Sequence, residues 1–334
     1  MLIPALVGGI TLRADLPGAI AFATAFALLG TVFLWRLVDK RWRTLILIQP
    51  LLFAVERQVV FTLRAGMAAK PNTESSGLSK FMQVSFTLGY LNTADTVLKL
   101  IRTILVNTTN ASGSAATTDH PLSAPSAPSS APNVDEPRRR FWYRRWSDFL
   151  QTLYFTALVA GILATAHQSE ASESGPNLAH QIERYASSAI GLVFILLEIL
   201  TLLWASKTLP RIDQRAVRFL LALTVLLTIP PTYRLVVMRH TTPDVHALGH
   251  QALNTGADKA AFYIVHMVPE WAVLLLMSVV NVRDICQTGL KGDTRWWDET
   301  PKERAKRERK EREKTRKKAE AKNTSTIELG LIER

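Results

Sequence analysis

The sequence predicts an all-α polytopic membrane protein: a bundle of about seven transmembrane helices, N-terminus outside and C-terminus cytosolic. Three observations carry this. Apolar residues make up 48% of the 334-residue chain and are gathered into seven long blocks with the charges between them. Blocks such as SAIGLVFILLEILTLLWA offer water no polar face, and a helix that is apolar all round is buried or sits in lipid. Connections rich in Lys and Arg alternate with poorer ones, and the basic residues behind the net charge of +12 fall on one side.

A helix needs about 20 mostly apolar residues to cross the hydrocarbon core. Residues 1–15 read as a short outer N-terminus. The stretch MLIPALVGGITL has no basic residue before it and is interrupted by Arg13 and Asp15, so it does not read as a cleaved signal peptide. Residues 16–106 carry the first three spans, expected at Leu16–Trp35, Thr44–Ala65 and Phe81–Val106. Residues 107–137 are dominated by Ser, Ala, Thr and Pro. Such a stretch cannot bury enough surface to offset its ordering entropy, and a disordered cytosolic loop is expected. Residues 138–284 begin with the basic, aromatic RRRFWYRRW and carry spans expected at Asp148–His167, Tyr185–Ser206, Ala216–Met238 and Ala261–Asn281. Residues 285–334 form a basic cytosolic tail.

Orientation follows from the connections. RLVDKRWR, PRRRFWYRRW, KTLPRIDQR and the tail alternate with AKPNTESSGLSK, QSEASESGPNLAHQIER and HTTPDVHALGHQALNTGADK, which are poorer in Lys and Arg. Asn107 and Asn110 match the glycosylation acceptor pattern, yet the charge rule puts them on the cytosolic side, so both are read as unused. Phe141, Trp142, Tyr143 and Trp146, with Trp296 and Trp297, suit the headgroup depth. The run 302–318 pairs Glu with Lys or Arg at helical spacing. Its excess positive charge is expected to draw anionic membrane lipids, by about 1 kcal/mol per basic residue near the surface. Attached to seven spans, it is not read as a nucleic-acid signal. A single cysteine, Cys286, excludes an internal disulfide.

Charges inside spans cost roughly 2.5–3.5 kcal/mol each at the bilayer centre, so they face the bundle interior and seek partners. Span two carries Glu56 and Arg57. Span three carries Asn92, Asp95 and Lys99 on one stripe. Span five carries Glu198, and span six Tyr233 and Arg234 after Pro230–Pro231. Span seven carries Tyr263, His266 and Glu270, the last two sharing a helix face. Two readings fit. In one these residues line a polar cavity that takes a cationic or amphiphilic headgroup or passes protons. In the other they satisfy one another, Arg57 with an acid on another helix and Lys99 with Asp95. Glu198 and Glu270, left without an evident basic partner, tilt the balance towards a site. Pro230–Pro231 removes two backbone donors and is expected to bend span six.

Two segments carry a resemblance. TYR at Thr232–Arg234 and FYIVHMVPEW at Phe262–Trp271 resemble the fungal seven-transmembrane lipid-translocating exporter family of the aminocholesterol-resistance type. In that pattern an acid follows the Arg by three positions, where this chain has Val237, and an Asp stands where it has His266. The resemblance covers span count and topology broadly and particular residues in the last third. It implies lipid or amphiphile translocation, with Tyr233, Arg234 and Tyr263 as the positions carried over.

The expected function is therefore translocation or binding of lipids or amphiphiles, with membrane lipids as partners. The alternative is a seven-helix receptor signalling through its basic loops and tail. Against the commoner receptors, span three ends LIRTIL, span seven lacks Asn-Pro-x-x-Tyr, and Lys259 lies at the outer edge of its span. No nucleophile motif appears, and His240, His246 and His250 lack the spacing of a helical metal motif. No enzyme activity, cofactor or metal is expected, and no protein partner is legible.

Overall fold

The computed structural model describes residues 3–70, 76–109, 136–166, 178–242, 249–290, 292, 309 and 312–313. The chain divides into a unit over Met1–Asp293 and a second over Thr294–Arg334. In the second, Arg309 and Glu313 pair at 3.9 Å, four residues apart on exposed helix. The expected loop over 110–135, Trp296, Trp297, His246 and most of the 302–318 run lie outside the described residues.

Long helices dominate the first unit: α1 (Leu16–Val38), α2 (Ile48–Ala69), α3 (Ser76–Asn107), α4 (Pro137–Ala166), α5 (Leu178–Thr208) and α6 (Gln214–Val237). The last span is composite. Helix α7 (Gly256–Ala261) runs through a π-helical stretch, Phe262–Met267, into α8 (Val268–Val279), and a short α9 (Val282–Ile285) follows. Six of these segments are long and apolar enough to cross a membrane: α1, α2, α4, α5, α6 and the composite of α7 and α8. Helix α3, the expected third span, has the length, at 32 residues. It is not among the six, because Gln83, Asn92, Asp95, Lys99 and Arg102 dilute its apolar run.

The packing order explains where α3 belongs. Helices α1, α2, α3, α4, α5, α6 and α8 contact one another in sequence around a closed ring, with α8 returning to α1. Helix α3 also touches α5, α6 and α8, which places it inward of its neighbours. Its polar side chains Ser85, Thr87, Thr93, Asp95 and Thr96 are buried there.

Burial is inverted relative to a water-soluble bundle. Large apolar side chains such as Leu28, Leu52, Phe155, Leu200, Val225 and Ile264 stand exposed on the outside. Arg57, Arg64, Glu198, Glu270 and Arg234 are buried inside. Apolar surface without a partner and charge without water describe a chain solvated by lipid, and the protein is an integral membrane protein.

Two helices carry local detail. The basic, aromatic approach to span four is helix from Pro137 onward. Buried Arg140 fixes that turn by donating to the Thr109 hydroxyl at 3.1 Å. Helix α6 runs unbroken through Pro230 and Pro231, both buried against the bundle.

Residues 3–15, read as a plain outer terminus, are built into the fold. Strand β1 (Ile3–Pro4) pairs antiparallel with β2 (Thr241–Thr242), and Arg13–Asp15 form a single 3₁₀ turn leading into α1. Gly9 turns the segment inward at φ 61°. A Cβ at Gly9 would stand 2.3 Å from the Asn254 amide oxygen, so the close approach requires glycine.

Candidate functional site

Helix α2 supplies the axis of the site. Gln49, Phe53, Arg57, Phe61 and Arg64 recur at helical spacing along its inward face. Three polar layers form where that face meets α3 and the composite last span.

The middle layer centres on Arg57, which is fully buried. Its Nε and Nη2 donate to one carboxylate oxygen of Glu270 at 3.0 and 2.8 Å. Nη1 donates to the Ser85 hydroxyl on α3 at 2.7 Å. Ser85 in turn donates to Glu56, which is itself 3.9 Å from Arg57. The guanidinium sits 4.8 Å from the Phe53 ring centre and 5.5 Å from that of Phe86, a cation between aromatic faces. The partner of Arg57 is thus an acid on another helix, and Glu270 is not the unpaired acid it looks in sequence. Lys99 likewise pairs with Asp95 at 2.7 Å.

One turn before Glu270 stands His266, on the π-helical stretch. Pro269 cannot donate to the Val265 carbonyl and its ring presses on it, which favours a widened turn just there. His266 stacks on Phe262 with ring centres 5.7 Å apart and meets the edge of Tyr233 at 5.8 Å. Both of its ring nitrogens lack a hydrogen-bond partner among the described residues, as does Oε1 of Glu270. His266 Nδ1 and that oxygen face each other across 3.9 Å, too far for a direct bond.

The layer at the N-terminal end centres on Asp15. Arg64 bonds it at 2.8 Å, Lys259 at 3.1 Å and the Tyr263 hydroxyl at 3.2 Å. Arg64 and Lys259 also donate to the Gly8 carbonyl, at 2.8 and 2.7 Å. One carboxylate thereby ties the N-terminal segment, α2 and α7 together. Tyr263, carried over from the family resemblance, belongs to this layer and not to that of His266. The opposite layer joins Gln49 to Asn92, Asp95 and Lys99 by bonds of 2.6 to 3.0 Å. Below it, Arg36 donates to the carbonyls of Val279 and Val280 at 3.1 and 2.6 Å and so caps the end of α8.

Two predicted residues lie apart from these layers. Glu198 on α5 is fully buried with neither carboxylate oxygen hydrogen-bonded among the described residues. The charge that reaches it is Asp95, another acid. Arg234 on α6 donates to Ser188 on α5 at 3.2 Å and to Thr87 on α3 at 2.9 Å. The sequence-predicted residues therefore do not converge on one chamber.

Asp15, Arg36, Arg64 and Lys259 were not legible as interior groups. Arg64 alone had a signal: it lies seven residues after Arg57, on the same face of the same span. Among the described residues no cluster of three or more His, Cys, Asp or Glu is placed to hold a metal ion. Comparison with family models, with characterised proteins and with solved structures returns no match, so the chemistry of these layers has to be read from the chain itself.

Proposed function

We propose that the chain spans the membrane seven times, N-terminus outside, and that its polar interior binds and passes the headgroup of a lipid or other amphiphile. Helix α3 counts as the seventh span in this reading, since its polar side chains are sheltered by neighbouring helices and not by water. The fungal lipid-exporter resemblance points the same way: one of its segments, on α6, meets His266 through Tyr233, and the other contains it.

The observation that carries the proposal is the set of unused hydrogen-bonding atoms at His266 and Glu270. An orphaned polar group away from water costs about 1–3 kcal/mol, and intramembrane ionisable residues mark substrate or proton paths. A structural ion pair needs only Arg57 and Glu270. It gives no reason for a histidine with two idle nitrogens stacked beside it.

The test is a proteoliposome flip assay with fluorescent phospholipid and long-chain-base probes, comparing the native chain with His266→Phe. Phenylalanine keeps the stack on Phe262 and breaks no hydrogen bond, so the melting temperature is expected to hold. Movement is expected to fall at least tenfold. Equal rates would refute a role for His266. If the native chain moves no probe, the receptor reading takes precedence.

A further inference from the structure

A small cavity of about 20 Å³ opens between the N-terminal segment and α3, α4, α5 and α6, lined by Gln83, Thr87, Arg184, Ser187 and Arg234. It holds two arginines that feel each other's charge. Neither has an ion-pair partner among the described residues. The acid whose field reaches Arg234 is Glu270, already bonded to Arg57 at 2.8 Å. Arg234 is 95% buried, and its Nη1 has no hydrogen-bond partner among the described residues.

The wall selects the sign of the ligand. The Ser187 hydroxyl gives its proton to the Ala157 carbonyl at 2.8 Å, and the Thr87 hydroxyl to the Gln83 carbonyl at 2.8 Å. Arg184 uses one nitrogen on the Ala5 carbonyl at 2.9 Å. The lining carries two guanidiniums and no carboxylate, a net positive charge that suits an oxyanion and repels a cation. The volume admits one or two oxygen atoms, the narrow end of a tetrahedral group.

Depth narrows the choice. Helix α5 has 31 residues, about 46 Å against a hydrocarbon core of about 30 Å, so it overhangs by about 8 Å at each end. Arg184 stands six residues into α5, about 9 Å from its start, at the border of headgroup and hydrocarbon. We infer that Arg184 and Arg234 form a phosphate-binding site that takes the non-bridging oxygens of a phosphate group, whether on a phospholipid headgroup or on free phosphate. This rests on the lipid-handling reading and gives it a headgroup class.

The experiment is native mass spectrometry of the full chain released from detergent, with added dioleoyl phosphatidic acid, beside equilibrium binding of radiolabelled inorganic phosphate. The variants are Arg184→Gln, at a side chain whose one bond among the described residues goes to a backbone carbonyl, and Arg234→Lys, which keeps the charge but loses the forked donors. Thermal melts confirm that each folds. One retained phospholipid per chain, weakened at least tenfold in Arg184→Gln and measurably in Arg234→Lys, supports the site with lipid as its source. The same pattern with inorganic phosphate alone supports it with free phosphate as the source. No binding of either probe, or binding equal in all three proteins, overturns it. A chain that binds phosphate through these arginines but flips no lipid supports the site and refutes the translocator reading. One that flips lipid with both arginines dispensable for binding does the reverse.

Discussion

Replacing Gly89 by alanine tests the middle layer at its tightest point. Gly89 lies on α3 beside the Arg57 guanidinium. A Cβ there would stand 1.7 Å from Nη2, 2.6 Å from Cζ and 2.9 Å from the Phe53 ring. Restoring ordinary contact near 3.5 Å moves the guanidinium by about 2 Å. That displacement takes Nη2 out of reach of Glu270, now 2.8 Å away. Helix propensity alone favours alanine by about 1 kcal/mol, whereas breaking a buried pair costs about 3–5 kcal/mol. The expected net loss is about 2–4 kcal/mol, a fall in Tm of roughly 3–6 °C for a chain of this size. Thermal unfolding in detergent, followed by circular dichroism, reads it directly. The sign should reverse in a chain already carrying Arg57→Met and Glu270→Gln, where alanine meets no fixed guanidinium. A Gly89→Ala chain as stable as the native one would refute the claim that this glycine exists to seat Arg57.

Further outcomes follow from other layers. Asp15→Asn leaves Arg64 and Lys259 buried against a neutral amide. It should cost about 3–5 kcal/mol and open residues 3–12 to limited proteolysis, with unchanged cleavage as the contrary result. Arg36→Ala removes the cap on the last carbonyls of α8 and should cost about 1–2 kcal/mol, partly restored by Arg36→Lys. An alanine chain with native Tm would discount the cap. Cys286 is 1% exposed, and burial, with the Asp213 charge behind it, pushes its thiol up to about 12. At pH 7.5 it should resist maleimide in the folded chain and react promptly once unfolded; rapid labelling of the native protein would contradict this burial.

Legibility divided along sequence distance. The long apolar blocks marked six crossing helices to within a few residues at most ends, because crossing lipid is a local requirement on about 20 consecutive residues. Lys99 with Asp95 was readable since four residues on one helix share a face. Arg57 could be assigned an acid by type but not by identity, because Glu270 lies 213 residues away. Asp15 looked like a mere interruption of an apolar stretch, and Lys259 like an outer-edge residue. Their meeting depends on a turn at Gly9 and on a capped α7, neither of which leaves a periodic signal. The early start of α4 went unread because basic residues lower hydropathy without lowering helix propensity. The Arg184–Arg234 cavity needs α5 and α6 side by side, which no single segment encodes.

The Asp15 layer also sets a timetable. Asp15 and Arg64 leave the ribosome early, whereas Lys259 emerges about two hundred residues after Arg64, roughly 10–40 s behind at ordinary elongation rates. For that interval the first two helices hold an aspartate with one cation and no lid, and the N-terminal segment has neither β2 nor α7 to grip. Completion of the last span is what closes the first. A chain truncated before Gly256 would therefore carry every earlier helix and the β1–β2 pair, yet leave Asp15 with Arg64 alone and without Lys259 and Tyr263, a ready distinction for a quality-control protease between unfinished and finished copies.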